Sequence, residues 1–473
     1  MRLSENDVFD LRKNYDFRVS VSGQNGFFSA ELKLSPENIT IRISGDQQVD
    51  RDWGYVEWEL ESLDCSGHEW NFRLFDLHCI SSGHYNLEQW PGMVQHFEAV
   101  YVASYAVISR CSIQEIDLRG IQLFSPSLEQ WVGLTEKQED IVRDQMIGNR
   151  VGLQSGFEGF NTREFTSIVE GQGEVYLNYN IKATASPLEF AVGVKFPPSF
   201  CFYSTRQILP KDVMRLYQKT YSFLSLLQGR EILMDRVVLS DDNAHSRDAY
   251  LYYSKPSLAS YEVASYSFFP LSHGLRFDSL GLPPFPLDAL SNYFSESYMF
   301  AEKWEKYVKY RRMSNVEERF LGYFRLLESL TKKSKTFLDS DLLKLQVARV
   351  ENIMVKIFGS SKDVKGFLRG IDRYNNSKYN TAKCILDFYN RLPDGVRKSW
   401  SLKQDAINSI CKLRNDISHA NDYFEKEDDL LAKCIFIESL LMVALLETVG
   451  IPVAVTAKLL HRLPGSHHLF QKN

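Results

Sequence analysis

The chain has 473 residues, 44% of them hydrophobic and 24% charged. That is the composition of folded globular material with room for two or three domains, and it excludes a disordered or fibrous chain. Its net charge of −5 hides an asymmetry: residues 301–473 carry 30 Lys and Arg against 21 Asp and Glu, which leaves 25 against 39 for residues 1–300. A basic C-terminal part suits contact with phosphates, although two ordinary solvated faces give the same imbalance.

From the start to about residue 205 the pattern is mostly β. Phe17 to Ser22, Phe27 to Leu34, Asn38 to Ser44, Phe97 to Ser109, Glu174 to Ala183 and Phe190 to Phe196 are rich in β-branched and aromatic residues. Ile39, Ile41 and Ile43 alternate with Thr40 and Arg42, which predicts one buried and one solvated face. Such runs point to a sandwich or a strongly curved sheet. A helix is expected from Lys211 to Leu227, on the stripe Val213, Leu216, Tyr217, Tyr221 and Leu224. The prolines of Gly281-Leu282-Pro283-Pro284-Phe285-Pro286 forbid helix or interior strand. A helix capped by Asp288 is expected to follow, running through Trp304 towards Tyr310. The remainder reads as helices near 315–333, 340–358, 362–374, 379–391, 402–418 and 426–449. The fold class is therefore α+β, with a β-rich region at 1–205, a mixed helical linking region at 206–311 and an all-α domain at 312–473.

The start of the chain is polar and reads as no secretory signal, and Leu430 to Val449 holds Lys433, Glu438 and Glu447, so it reads as a buried helix and not a membrane span. Seven cysteines without framework spacing suggest reduced thiols and a cytoplasmic location. Cys65, His68, His78, Cys79 and His84 raise the question of zinc, but only Cys65 and His68 have ligand spacing, and strand alternation sends His78 and Cys79 to opposite faces. No metal site and no cofactor is expected. Gly-rich phosphate loops, the Gly-x-Ser-x-Gly elbow and the His-Glu-x-x-His pair are all missing from the sequence.

Two segments carry possible chemistry. In Arg373-Tyr374-Asn375-Asn376-Ser377-Lys378-Tyr379 basic and aromatic residues interleave, as in loops that stack unpaired bases and hold phosphates, or equally as in a solvated turn between helices. Further on, Ile407, Ile410, Leu413 and Ile417 mark one buried helical face, and Arg414 falls beside that stripe. His419 comes five residues later, where the pattern stops. A permanent cation and a titratable imidazole at one helix end suit phosphodiester chemistry: the guanidinium holds a phosphate, the imidazole moves a proton.

The run Leu413-Arg414-Asn415-Asp416-Ile417-Ser418-His419 resembles the Arg-x4-His motif of the HEPN family of small helical domains, with Asn415 as the polar residue after the arginine. Glu317-Glu318-Arg319-Phe320-Leu321, leading into Phe324, Leu327 and Glu328, is similar to the family's first helix. The likeness covers residues 312 to 460, and the architecture as a whole resembles ApeA-like anti-phage defence proteins. The resemblance implies a metal-independent endoribonuclease that works as a homodimer through its HEPN domain, in the cytoplasm and without a membrane. Arg414 would bind the scissile phosphate, His419 would act as general acid or base, and Asn415 would orient the histidine or the phosphate by hydrogen bonding. The substrate implied is unpaired RNA, with a tRNA loop as one candidate, and the N-terminal domain would sense a phage-derived trigger. The alternatives are an inactive HEPN module that binds RNA or dimerises, and a regulator whose N-terminal β domain binds a ligand.

Overall fold

The computed structural model describes residues 9–22, 27–46, 58–89, 92–148, 162–186, 191–241, 249–254, 267–271, 283–333, 337–375 and 380–470. They fall into two compact units, Met1–Ala301 and Glu302–Asn473.

The N-terminal unit begins with β1 (Tyr15–Ser22), β2 (Phe27–Leu34), β3 (Ile39–Asp46), β4 (Glu59–Ser66), β5 (Asn71–Gln89) and β6 (Gly92–Ala103). Alternation decides their faces. Phe28, Ala30, Leu32 and Leu34 of β2 are buried, as are Ile39, Ile41 and Ile43 of β3. Antiparallel register lines up Leu32 with Ile41 and Ile41 with Tyr101, so one buried row crosses three strands. β4 pairs with β1 at Val21↔Cys65 and with β5 at Cys65↔Phe72. That double pairing closes the first six strands into a barrel, which removes the exposed edges of an open sheet.

β5 also pairs with β7 (Tyr105–Ser109) and so passes the sheet on. The sheet continues through β15 (Ala249–Tyr253), β14 (Arg236–Asp241), β8 (Leu118–Phe124), β13 (Pro198–Ser204), β10 (Gly173–Tyr179) and β9 (Arg163–Val169), reaching thirteen strands among the described residues. β11 (Lys182–Ser186) and β12 (Ala191–Lys195) form a separate hairpin. The single strand expected from Phe97 to Ser109 is thus two, broken where the Ser104 amide donates to Phe75. The run from Glu174 to Ala183 likewise divides, between β10 and β11. β7 and β15 are buried at every position; β7 falls within the expected run from Phe97 to Ser109, whereas β15 lacks the alternation that would have marked it as a strand.

Two short helices, α1 (Pro126–Val132) and α2 (Glu136–Gly148), follow β8. α3 (Val213–Gln228) fits the expected helix and is almost wholly buried, ending on Gly229 in the left-handed region. The helix expected from Asp288 to Tyr310 is in fact two, α4 (Asp288–Ser295) and α5 (Tyr298–Arg311). Glu296 takes extended backbone between them, and Leu287, not Asp288, holds the N-cap position.

The C-terminal unit contains α6 (Val316–Thr331), α7 (Ser340–Phe358), α8 (Ser361–Asn375), α9 (Thr381–Tyr389), α10 (Asp394–Ser399), α11 (Gln404–Ser418), α12 (Glu427–Thr448) and α13 (Val453–Leu459). α12 is buried from Cys434 to Leu446 on every side, as a helix apolar all round must be, and it lies along α6. Among the described residues no helix is long and apolar enough to cross a membrane. α10 and α13 are too short to show a helical period in sequence.

Candidate active site

Ile407, Ile410 and Leu413 anchor α11 by their burial, and this fixes the direction in which Arg414 leaves the helix. Its guanidinium lies 5.5 Å from the centre of the Phe324 ring. One terminal nitrogen donates to Glu328 Oε2 at 3.2 Å, the other to Asn415 Oδ1 at 3.0 Å. Glu328 accepts through its second oxygen from Thr381 Oγ1 at 2.8 Å. Three helices therefore meet on one carboxylate: α6 supplies Glu328, α9 begins at Thr381, and α11 brings Arg414. Arg414 Nε is buried without an acceptor among the described residues.

Asn415 is exposed and its side-chain oxygen faces Arg414. His419 is the C-cap of α11, exposed, with its backbone N–H donating to Asn415 O at 3.0 Å. The helix closes in a Schellman motif: Ala420 N donates to Ile417 O, and Asn421 N to Asp416 O. Ala420 sits at φ +52°, where glycine is the usual residue. The position of His419 thus depends on a strained alanine immediately after it. Cys411, on the same helix, is no rival nucleophile, because burial pushes its thiol up to about 11.

Of the basic and aromatic segment, Arg373 is exposed and Tyr374 is 71% exposed, while Lys378 and Tyr379 lie outside the described residues. The Tyr374 ring stacks on Phe337 at 5.7 Å and 10°. Sequence reading passed over Phe337, Thr381 and the pair after the motif, Tyr423 and Phe424. Tyr423 donates to Glu317 at 2.6 Å, and Phe424 is 92% exposed. An aromatic pair so near the Arg/His motif was the available signal. Cys65 and Cys79 are buried in β4 and β5, and Cys79 Sγ contacts Ser81 O. Among the described residues no three His, Cys, Asp or Glu gather as metal ligands.

The N-terminal unit has its own candidate ligand site, a cavity of about 650 Å³ lined by Arg206, Leu216, Lys219, Phe294, Glu296 and Tyr298 among others. Lys219 lies at its wall, donating to the carbonyls of Phe294 (3.0 Å) and Glu296 (2.8 Å). Desolvation lowers its ammonium to about 8.

The family model for ApeA N-terminal domain 1 matches residues 14–298, more than half of the chain. The chain belongs to the ApeA family. The Apea-like HEPN model matches residues 321–454, a span that includes Glu328, Thr381, Arg414, Asn415 and His419. No curated protein and no solved structure matches the chain. It is thus an ApeA-like protein of the anti-phage class, with a HEPN domain of a family generally made up of nucleases that act on RNA.

Proposed function

We propose that this ApeA-like chain is a metal-independent RNA endonuclease. The observation that carries the proposal is the anchoring of Arg414 by Glu328 at the exposed end of α11, with His419 at the C-cap. A guanidinium about a quarter exposed, with both terminal nitrogens already positioned, keeps further N–H donors for a phosphate.

In this reading His419 removes the proton from a ribose 2′-OH. The 2′-oxygen bonds to phosphorus as the bond to the 5′-oxygen breaks, and the leaving oxygen takes up a proton. Arg414 stabilises the charge that builds on the phosphoryl oxygens. The products are a 2′,3′-cyclic phosphate and a 5′-OH. Because the ribose supplies the nucleophile, DNA is not a substrate. Two copies of the chain bring two motifs to one cleft, so that one imidazole serves as base and the other as acid.

Phe337, Tyr374 and Phe424 offer exposed rings for unpaired bases, with Arg373, Lys378 and Tyr379 completing the RNA contact. An RNA with an accessible loop, such as a tRNA, fits this chemistry. The N-terminal region senses a phage-derived trigger and restrains the nuclease, with the Lys219 cavity as the site for a ligand. Cells expressing wild type, Arg414→Ala or His419→Ala test the nuclease. Wild type alone should yield RNA ending in 2′,3′-cyclic phosphate and limit phage. Equal protection by all three with intact RNA would overturn the reading.

A further inference from the structure

Among the described residues, ten of the twenty exposed large apolar side chains fall within residues 337–374. They centre on α7 and α8, an antiparallel pair joined through Gly359 and Ser360. α7 has no buried residue along its 19 positions, yet its sequence is apolar on two faces. Leu343, Val347 and Met354 are half-buried on the side that meets α8. Leu342, Leu345, Ile353 and Ile357 form the second face, with Ile353 at 58% and Ile357 at 69% exposure.

α8 repeats the arrangement. Val364 and Leu368 are buried, while Phe367 and Tyr374 are exposed one face over. Gly366 and Gly370 share that outer face, and a Cβ added to either would meet nothing within 4 Å. Two glycines in one helix sacrifice helix propensity, and in return they let another backbone approach closely. A turn of about 100° per residue, combined with the reversal of direction between the helices, sets the outer faces of α7 and α8 on the same side of the hairpin.

The area decides what kind of surface this is. With about 200 Å² for each fully exposed side chain of this size, Leu342, Leu345, Ile353, Ile357 and Phe367 present on the order of 600 Å², leaving Phe337 and Tyr374 to the RNA contact. That reaches the top of the roughly 300–600 Å² of the largest patch on an ordinary monomer, and with the polar rim around it approaches the ~800 Å² each partner buries in a stable complex. Residues 339–375 hold seven Lys and Arg against five Asp and Glu, a near balance that does not single out a polyanion as the occupant of the apolar face. Two helices with one open apolar side are half of a four-helix bundle.

We propose that this face is where two copies of the chain meet, pairing their α7–α8 hairpins into a four-helix contact. The inference rests on the dimeric reading above and names its surface. Sedimentation equilibrium of the full-length wild type, Ile353→Glu/Ile357→Glu and Gly370→Leu tests it. The wild type should be dimeric. The double variant should weaken the dimer at least 100-fold and Gly370→Leu at least 10-fold, with unchanged circular dichroism and a melting temperature equal to that of wild type diluted to monomer. Dimers as tight as wild type in both variants would overturn the surface and leave the nuclease untouched. A monomeric wild type overturns the dimeric reading as well. Variants that stay dimeric but lose RNA binding would make the face an RNA surface and refute the proposal. RNA cleavage by Arg414→Ala and His419→Ala is a separate readout, so a failed nuclease with a hairpin-dependent dimer leaves this inference standing.

Discussion

Arg414 and Glu328, 86 residues apart in sequence, are joined by a 3.2 Å charge-assisted hydrogen bond, each side chain about a quarter exposed. The second oxygen of Glu328 is held by Thr381, so the carboxylate is fixed before it meets the guanidinium. Glu328 is therefore a positioning residue for Arg414. Glu328→Gln keeps the shape and removes the charge. RNA cleavage should fall by roughly 10- to 100-fold, the usual consequence of a misplaced reacting group. Glu328→Asp should restore part of the rate, and a purely structural role predicts equal activity in both variants with lowered stability.

Ala420 at φ +52° gives a second prediction, with a sign opposite to most substitutions. An L-residue there costs roughly 1 kcal/mol that glycine avoids. Ala420→Gly should stabilise the helical unit by about that amount in denaturant unfolding, and Ala420→Val should destabilise it. The same strain beside His419 makes the cleavage rate of Ala420→Gly informative. A loss of rate despite added stability would mean that the strained turn aims the imidazole.

Buried Glu438 accepts from Tyr307 at 2.9 Å and Tyr323 at 3.3 Å, while Arg311 donates to the Tyr307 hydroxyl at 3.0 Å. Burial pushes both tyrosine hydroxyls well above their usual range, so they remain donors. Tyr307→Phe leaves both Glu438 and Arg311 short of a partner and should cost about 1–3 kcal/mol. Glu438→Ala should cost more, about 3–5 kcal/mol, because it removes the acceptor of two buried tyrosine hydroxyls and a negative charge 4.0 Å from Arg311. Chemical unfolding of the two variants checks the order, and a cost for Tyr307→Phe near zero would show that the network does not hold α5 to α6 and α12.

Lys219 sets a pH dependence. Its folded-state value of about 8 lies below the ordinary 10.5, chiefly through desolvation. Between those values the folded state has released the proton while the unfolded chain still binds it, so stability rises with pH across that window. A shift of this size is worth roughly 3 kcal/mol. Relative to Lys219→Met, wild type should gain most of that between pH 7.5 and pH 10 in the unfolding transition of the N-terminal unit. A pH-independent difference would show that the ammonium remains charged within the fold.

The α7, α8 and α11 helices were legible because each carries a long apolar period, α12 because its apolar run is too long for a strand, and Arg414 and His419 because they sit beside the stripe of α11. β2 and β3 were legible because each buries one face and wets the other. β15 was not, since burial on both faces erases alternation and leaves a short apolar run that any element type can own; β7 was legible as strand within the run from Phe97 to Ser109, but its separation from β6 was not. The break between α4 and α5 was hidden because no proline or glycine marks Glu296 and Ser297. Closure of the first six strands into a barrel depends on β4 pairing twice, which is a property of pairs of strands and not of any one.

By itself, then, the sequence determined what is local and periodic: the β-then-α order, the helices that carry the motif, and the identity of the arginine and histidine. The tertiary structure alone decided which distant groups share a carboxylate. Only folding carries Glu328 and Thr381 to Arg414, because an ion pair across 86 residues follows from how α6, α9 and α11 pack. The open face of the α7–α8 hairpin belongs to the same class. Apolar residues at helical spacing look alike in sequence whether a neighbour covers them or solvent does, and only the packed structure separates the two.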